Sequence, residues 1–451
     1  MKKVLLASAA LLALGTAAQA AEPVKLSIGG YATEYVGYVS NAQSNIGGAN
    51  TSSYSAHTNY NKVDVQDDIN VNFVGSTKLD NGLTVAVEVD TFGFAGQDSR
   101  NDGANCGKTA ITGGNAAGTC GNSNIKRSYV AISGGFGALI AGEREDATYI
   151  VHSSAPDVGI GLQDGAWFRW AVSPSNHRTY SATNDSRYDA RTNKITYVTP
   201  AFYGLAAAAS YVPDINQSTA GHSTIGSSSD AATILTNGQV NGAQFGGNAW
   251  GAGLAYANTF GDVSVKADLT QVQANIANLG IYQGGLQVSY AGFTLGGSIL
   301  NRNVPNGSTA TLGSTKFDQA AAGTTYYKSV TKWAAYAGQS WDLGLSYAAG
   351  PYSVSLGYFR DQSKNDVSNG VLANSISTYT GAKGSFSGGG HDTTEVWMLS
   401  GAYILGPGVT WKSSIGLVDY STTGSSVVSA AQVKSNENKA PLAITGIKVD
   451  F

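Results

Sequence analysis

The sequence is poor in charged residues and has no long hydrophobic run. Charged side chains make up only 13% of its 451 residues, whereas a soluble enzyme keeps a more heavily charged surface. Beyond the first twenty residues, the longest nearly apolar stretch, residues 201–212, is well short of the ~18 residues that a membrane-spanning helix requires. Composition therefore argues against a soluble enzyme and against a helical membrane anchor.

The first twenty residues have the pattern of a secretory signal. Lys2 and Lys3 supply positive charge, an apolar stretch follows, and small residues end it at Ala20. We expect residues 1–20 to be removed and residues 21–451 to form a single domain. Loss of the two lysines leaves 25 basic (27 − 2) against 30 acidic residues, a net charge of −5 that argues against nucleic acid as a partner.

Cysteine is nearly absent: Cys106 and Cys120 are the only two, and both lie in one stretch between predicted strands. In an exported protein they are expected to form a disulfide, which would stabilise the fold by roughly 3 kcal/mol through closure of a short loop. A shared metal ion is the alternative. No histidine and no CxxC motif flanks the pair, which disfavours a metal site.

The sequence is rich in runs in which apolar and polar residues alternate with a period of two. Val85, Val87 and Val89 point to one side of a predicted strand, while Glu88 and Asp90 point to the other. A strand with one apolar and one polar face fits a wall between lipid and water.

Such runs occur in pairs joined by short turns that contain Gly or Pro. The predicted turns lie at residues 79–82, 134–137, 200–204, 258–261, 291–292, 349–351 and 406–408. These seven hairpins, with a first strand at 24–39 and a last at 443–451, predict sixteen strands (7 × 2 + 2). Alternation of short turns with long polar stretches is typical of an antiparallel transmembrane β-barrel, an all-β fold.

Aromatic residues recur at the turn end of successive hairpins, as expected for a girdle at the membrane interface. The residues are Phe136, Tyr197, Phe202, Tyr256, Phe260, Tyr290, Phe293, Tyr347, Tyr352 and Tyr403. The chain also ends on an aromatic, Phe451, after an alternating run. We expect this last strand to pair with the first and close the barrel, because an unpaired edge is a liability.

Several stretches, taken in order along the chain, resemble Gram-negative general porins. They are residues 73–83, 127–137 and 193–197 and the terminal Phe451. The resemblance implies a homotrimer in the bacterial outer membrane, with short periplasmic turns, long outer loops and a third loop folded into a water-filled pore. It further implies contact with outer-membrane lipid and lipopolysaccharide, passive diffusion of small hydrophilic solutes and ions, and no cofactor.

The third long stretch, residues 143–191, corresponds to the inward-folded loop of this family. Residues 156–159 resemble its Pro-acid-apolar-Gly tip, which makes Asp157 a candidate for the acidic side of the pore constriction. Arg127 matches a wall arginine that faces the loop. The resemblance and the charges of the stretch together give a predicted constriction of Arg127, Glu143, Arg144, Asp146, Asp157, Asp164 and Lys194.

Because of two departures from the family pattern, few basic residues are predicted on the basic side of the constriction. Glu143 stands where relatives commonly carry arginine, and Asn70 stands where some carry a basic residue. By alternation, further charges face the lumen: Asp68, Glu88, Asp90, Lys266, Asp268, Asp342 and Lys412. Their slight acidic excess predicts a weak preference for cations.

Other functions are weaker predictions. The five histidines (His57, His152, His177, His222 and His391) fall in predicted outer loops and lie outside known catalytic motifs, so we expect no enzyme activity. A channel selective for sugars is the main alternative, because Trp167, Trp170 and Tyr180 could stack on sugar rings. A soluble β-protein would alternate similarly but would cover its apolar face with a second sheet.

Overall fold

The structure is a computed structural model of the chain, and described residues cover most of the strands and part of the connections. They are 23–41, 61–92, 125–162, 165–174, 177, 179–184, 192–213, 248–274, 279–303, 337–365, 390–423 and 437–451. The predicted signal (residues 1–20) and the predicted disulfide (Cys106 and Cys120) lie outside these residues, so both stay predictions.

Sixteen strands form one antiparallel sheet in which each strand pairs with its neighbours in sequence. They are β1 (Lys25–Val39), β2 (Val63–Lys78), β3 (Thr84–Phe92), β4 (Ile125–Gly134), β5 (Gly137–Glu143), β6 (Asn193–Val198), β7 (Leu205–Val212), β8 (Ala249–Phe260), β9 (Val263–Ala274), β10 (Leu279–Tyr290), β11 (Phe293–Asn303), β12 (Gly338–Ala349), β13 (Tyr352–Asn365), β14 (Gly390–Gly406), β15 (Val409–Thr422) and β16 (Asn438–Asp450).

Pairing of β1 with β16 closes the sheet into a barrel. At the seam, the Gly30 amide donates to the Phe451 carbonyl at 2.9 Å, and the Phe451 amide donates back to Gly30 at 3.1 Å. The predicted sixteen-stranded antiparallel barrel is therefore confirmed. Closure leaves no open sheet edge, which is the condition for a strand protein to cross lipid.

Short turns join the strands at one end of the barrel. In the β10–β11 turn, Ala291 (φ 49°) and Gly292 (φ 85°) both adopt positive φ, the geometry that matches the twist of a two-residue hairpin. Tyr203 and Gly204 do the same before β7. At the opposite end every connection is long except residues 275–278 between β9 and β10. The predicted asymmetry between the two ends is thus present.

The two faces of the sheet differ as the alternation predicts. On β3, Val87 is 46% exposed on the outer face, whereas Asp90 is 2% exposed on the inner face. Aromatic residues cover the turn end of the outer face, where the Phe293 and Tyr347 rings lie 4.4 Å apart and those of Tyr352 and Tyr403 lie 4.8 Å apart. Such an outer face is compatible with the hydrocarbon of a membrane, and the polar side chains face the interior.

The described helices are short and both lie between β5 and β6. Helix α1 spans Ala147–Val151, and a 3₁₀ helix spans Ala166–Arg169. No helix in the described part of the chain is long and apolar enough to cross a membrane.

Candidate functional site

The segment between β5 and β6, residues 144–192 and here called loop 3, runs along the inner face of the barrel. Its described residues contact polar side chains on successive strands from β7 to β15 and, beyond them, on β16 and β2. We call the inner face of β8–β15 the covered wall and the inner face of β3–β6 the open wall. The interior between loop 3 and the open wall is the candidate functional site.

Side chains of the covered wall bind the backbone of loop 3. Asp268 accepts the Ser153 amide at 2.7 Å, and Asp342 accepts the Ala155 amide at 3.0 Å. Further along, the Ser414 hydroxyl accepts the Ile160 amide at 2.9 Å. Each bond satisfies an amide that has no partner within a helix or sheet, so the wall holds the loop by its main chain.

An apolar cluster fixes the middle of loop 3 to strands on both sides of the barrel seam. Trp167 is fully buried, and its ring lies 5.9 Å from Phe359 of β13 and 6.3 Å from Tyr420 of β15. Its indole nitrogen donates to the Ser181 carbonyl at 3.0 Å. The same cluster includes Trp170 of loop 3, Val39 of β1 and Leu442 of β16. The loop therefore has a hydrophobic core of its own inside the barrel.

The returning limb of loop 3 is held by a buried ion pair. Arg302 of β11 donates to Asp361 of β13 at 2.8 Å, and neither side chain is exposed. The Tyr180 ring lies 3.7 Å from the guanidinium carbon, and the Tyr180 amide donates to Asp361 at 3.2 Å. This arrangement satisfies the buried charges and ties residue 180 to two strands.

His152, Asp268 and Thr183 form a second buried cluster. The His152 Nδ1 lies 3.0 Å from Asp268, and its Nε2 lies 3.3 Å from the Thr183 hydroxyl. The order hydroxyl–imidazole–carboxylate is that of a hydrolase triad, yet the exposed fractions of the His152 and Asp268 side chains are 1% and 0%. Thr183 is equally buried and also donates to Asp342 at 2.8 Å. We assign this cluster to anchoring loop 3, because a substrate has no access to the hydroxyl.

The open wall carries charges that pair with one another. Arg127 of β4 donates two hydrogen bonds to Glu145, at 2.6 and 2.7 Å, and a third to Asp90 of β3 at 2.8 Å. The bidentate geometry is the strong form of an arginine–carboxylate contact. One cation thus serves two acids and fixes the start of loop 3.

Next to this group lies a second set of charged residues. The Tyr129 hydroxyl donates to Glu88, and the Arg144 guanidinium lies 4.9 Å above the Tyr129 ring. The Lys194 ammonium donates to the Arg144 carbonyl. Five of the predicted site residues (Arg127, Arg144, Lys194, Glu88 and Asp90) therefore gather on the open wall or at its junction with loop 3.

The constriction role of Asp157 stays a prediction, and the structure places this residue against Ser355 of β13. Its carboxylate accepts the Gly159 amide at 3.0 Å, the Leu162 amide at 2.9 Å and the Ser355 hydroxyl at 3.1 Å. Asp146 likewise serves the backbone, because it caps α1 by accepting the Tyr149 amide at 3.0 Å. Both carboxylates organise loop 3, and neither stands as a separate charge over the open wall.

The other predicted site residues are spread along the barrel. Glu143 is buried at the end of β5, where it pairs with Ser128 of β4 and Asn193 of β6. Asp68 lies 3.6 Å from Arg169. The Lys412 ammonium donates to the Gly159 carbonyl at 3.1 Å.

Lys266, Asp268 and Asp342 belong to the covered wall. Lys266 is half-buried on the face that also carries Asp268. Asp164 lies outside the described residues. No group of three or more His, Cys, Asp or Glu side chains is placed to hold a metal ion in the part of the chain that the structure describes.

Sequence reasoning missed Arg302 and Asp361. Alternation places both on the inner face of their strands, so their lumen orientation could have been read from the same pattern as Asp342. Their pairing could not, since it depends on strand neighbours and on where Tyr180 returns to the wall.

The model of the Gram-negative porin family matches residues 7–423. Similar solved structures include an anion-selective porin from Comamonas acidovorans (15% identity, TM-score 0.48), which aligns over 95% of this chain and 100% of its own. The outer membrane channel DcaP of Acinetobacter baumannii (11%, TM-score 0.49) aligns over 95% and 97%, respectively. The trimer form of OmpT, an outer membrane protein of Vibrio cholerae (10%, TM-score 0.48), aligns over 95% and 100%. No curated protein sequence matches the chain.

Proposed function

Since this chain belongs to the Gram-negative porin family and forms a passive channel of the outer membrane, we propose that it is a general diffusion pore narrowed between loop 3 and the open wall. A closed barrel of sixteen strands is too wide for its side chains to fill, which leaves an aqueous passage. Small hydrophilic solutes and ions cross without a cofactor or an energy source.

The burial of the loop aromatics is the observation that carries this proposal. A sugar-selective channel would need Trp167, Trp170 and Tyr180 as exposed platforms for sugar rings. All three are buried against the wall: Trp167 and Trp170 in the apolar cluster, and Tyr180 against Arg302. The remaining lining is polar and charged, which favours passage by size and charge over binding of one sugar.

Charge selectivity is expected to be weak. The acids that give the lumen its excess are engaged: Asp90 with Arg127, Asp68 with Arg169, and Asp268 with His152. Arg127 nevertheless sits between two carboxylates, so this group keeps a net negative charge and favours cations slightly.

We also propose a homotrimer in which part of the outer face contacts neighbouring copies. Glu34 of β1 and Asp67 of β2 stand directly opposite each other on the outer face, beside the exposed side chains of Val36 and Val65. Two carboxylates facing hydrocarbon side by side are unfavourable. Contact with a second copy would remove them from lipid. Association with lipopolysaccharide stays a prediction.

Single-channel recording in a planar bilayer tests these statements together. Purified protein should give ohmic steps that close in threes, conductance that falls with solute size, and flux that does not saturate with sugar concentration. A reversal potential in a salt gradient should indicate a weak cation preference. Saturable block by a sugar would favour the selective channel, and single closing steps would contradict the trimer.

A further inference from the structure

We propose that glycines on the covered wall set the width of the pore, because they let loop 3 lie flush against the barrel. This inference rests on the proposed role of loop 3 as the narrowing element. It concerns wall residues that carry no charge and do not line the passage themselves. Gly285, Gly296, Gly344 and Gly357, on four adjacent strands from β10 to β13, form this glycine track.

At Gly285 the loop backbone occupies the place of a side chain. A Cβ atom built there would lie 1.9 Å from the Ser153 carbonyl oxygen and 2.8 Å from the Asp268 carboxylate. The Ser153 amide donates a hydrogen bond to that same carboxylate, which holds the Ser153 backbone in place. An alanine would force the loop backbone from 1.9 Å toward the 3.4 Å at which ordinary contact begins, a shift of about 1.5 Å.

The track continues on the next two strands. Gly296 and Gly344 lie opposite each other, and both face Pro156. A Cβ on Gly344 would lie 2.9 Å from the Pro156 carbonyl oxygen. One on Gly296 would lie 2.7 Å from the Gln287 Cγ of the neighbouring strand and 3.2 Å from the Pro156 ring. Because proline has no backbone N–H to donate to the wall, Pro156 is held there by close packing.

At Gly357 the contact changes from backbone to side chain. A Cβ there would lie 2.2 Å from the Leu162 Cδ2, the far end of a flexible side chain. On β14 the relation reverses, because the loop supplies the glycine: a Cβ on Gly159 would lie 2.2 Å from the Ser400 hydroxyl oxygen. At each of these contacts, a glycine on one partner, loop or wall, faces a side chain on the other, so the two stay in close contact.

A loop lifted from this track has one direction in which to move. The barrel wall stands behind it, Glu145 ties its start to Arg127, and the cluster around Trp167 holds its middle. Any added volume on the track therefore displaces residues 153–162 toward the open wall and narrows the passage.

The test compares alanine variants by single-channel conductance of the folded, full-length protein. Gly285→Ala should lower conductance by roughly a quarter, because a backbone clash can be relieved only by moving the loop. Gly344→Ala should lower it less, and Gly357→Ala least, since Leu162 can adjust. Gly401→Ala is the control: it lies on the outer face, where the nearest atom to a new Cβ is 3.9 Å away.

Each outcome decides the matter. A graded fall in conductance with a lower size limit for neutral solutes, and no change for Gly401→Ala, supports the inference. Equal or higher conductance of Gly344→Ala and Gly357→Ala overturns it, and these variants serve where Gly285→Ala does not fold. A wild-type protein without any conductance would instead contradict the proposed function, so the two failures are distinguishable.

Discussion

The covered and open walls of the barrel carry the same residue types but use them differently. On the covered wall, Asp268 and Asp342 accept amide hydrogens of loop 3 and are buried. On the open wall, Asp90 is also buried, at 2% exposed, but it pairs with Arg127 across neighbouring strands. An aspartate on the inner face therefore anchors loop 3 on the covered wall and pairs with a cation on the open wall.

This difference suggests that the covered wall mainly determines how stably loop 3 is held, and that the open wall mainly determines ion selectivity. Substitutions on the covered wall should change how firmly loop 3 is held, because its acids and aromatics contact the loop directly. Substitution of Arg127 on the open wall should change which ions pass, since its side chain remains 26% exposed. The four predictions below test that division, from the largest expected effect to the smallest.

The largest effect is expected from Trp167→Ala. Removing this fully buried ring from between Phe359 and Tyr420 should destabilise the fold by about 4 kcal/mol, through lost burial and an unfilled cavity. The measurement is urea unfolding of the barrel in detergent. Phe168→Ala is the matched control, because Phe168 lies on the same 3₁₀ helix, is 40% exposed, and should cost about 1 kcal/mol or less. Equal losses would mean that the cluster does not hold loop 3.

Arg302→Ala should cost about 3 kcal/mol, because it leaves the buried Asp361 carboxylate without its cation. Thermal unfolding in detergent would measure this, and limited proteolysis should show the limb around Tyr180 released. Arg360→Ala provides the comparison. Its ion pair with Glu395 spans 3.5 Å, but the two side chains are 38% and 41% exposed, so the loss should stay below about 1 kcal/mol. A similar cost for both arginines would contradict the assignment of Arg302 as an anchor.

The barrel itself could be predicted from the sequence because its pattern is local. Period-two alternation fixed which face each strand residue takes, and the Gly-containing turns fixed where strands end, as at Ala291 and Gly292. Strand order then followed from hairpin connectivity, and the pairing of β1 with β16 from the need to close the edge.

The arrangement inside the barrel could not be predicted in the same way. Contacts such as Ser153 with Asp268 join residues 115 positions apart, and their pairing depends on the path of an irregular loop. Alternation placed Asp268 and Asp342 on the inner face correctly, but it carries no information on whether a carboxylate meets water or a loop amide. The constriction roles predicted for Glu143 and Asp157 stay predictions.

Arg127→Gln should change selectivity and also cost stability, because its two carboxylate partners are nearly buried, at 2% and 7% exposed. Loss of the guanidinium leaves Asp90 and Glu145 without a cation, so the open wall becomes more negative and the cation-to-anion permeability ratio should rise about threefold. Reversal potentials in a salt gradient measure the ratio. Arg127→Lys keeps the charge and should stay close to the wild-type ratio. An unchanged ratio in Arg127→Gln would place the narrowest part of the passage elsewhere.

Asp157→Asn should have the smallest effect on selectivity, although the resemblance makes Asp157 a constriction residue. Both carboxylate oxygens are engaged within loop 3 and with Ser355, so the charge lies at the covered wall. The asparagine side chain has only one acceptor oxygen, so it cannot accept hydrogen bonds at both former carboxylate positions. The loss of one acceptor should destabilise the turn at residues 157–162 by about 1 kcal/mol. Proteolysis near this turn should speed up while the reversal potential stays within error of wild type. A shift as large as that of Arg127→Gln would mean that the two walls share the task of ion selection, and the division drawn above would fail.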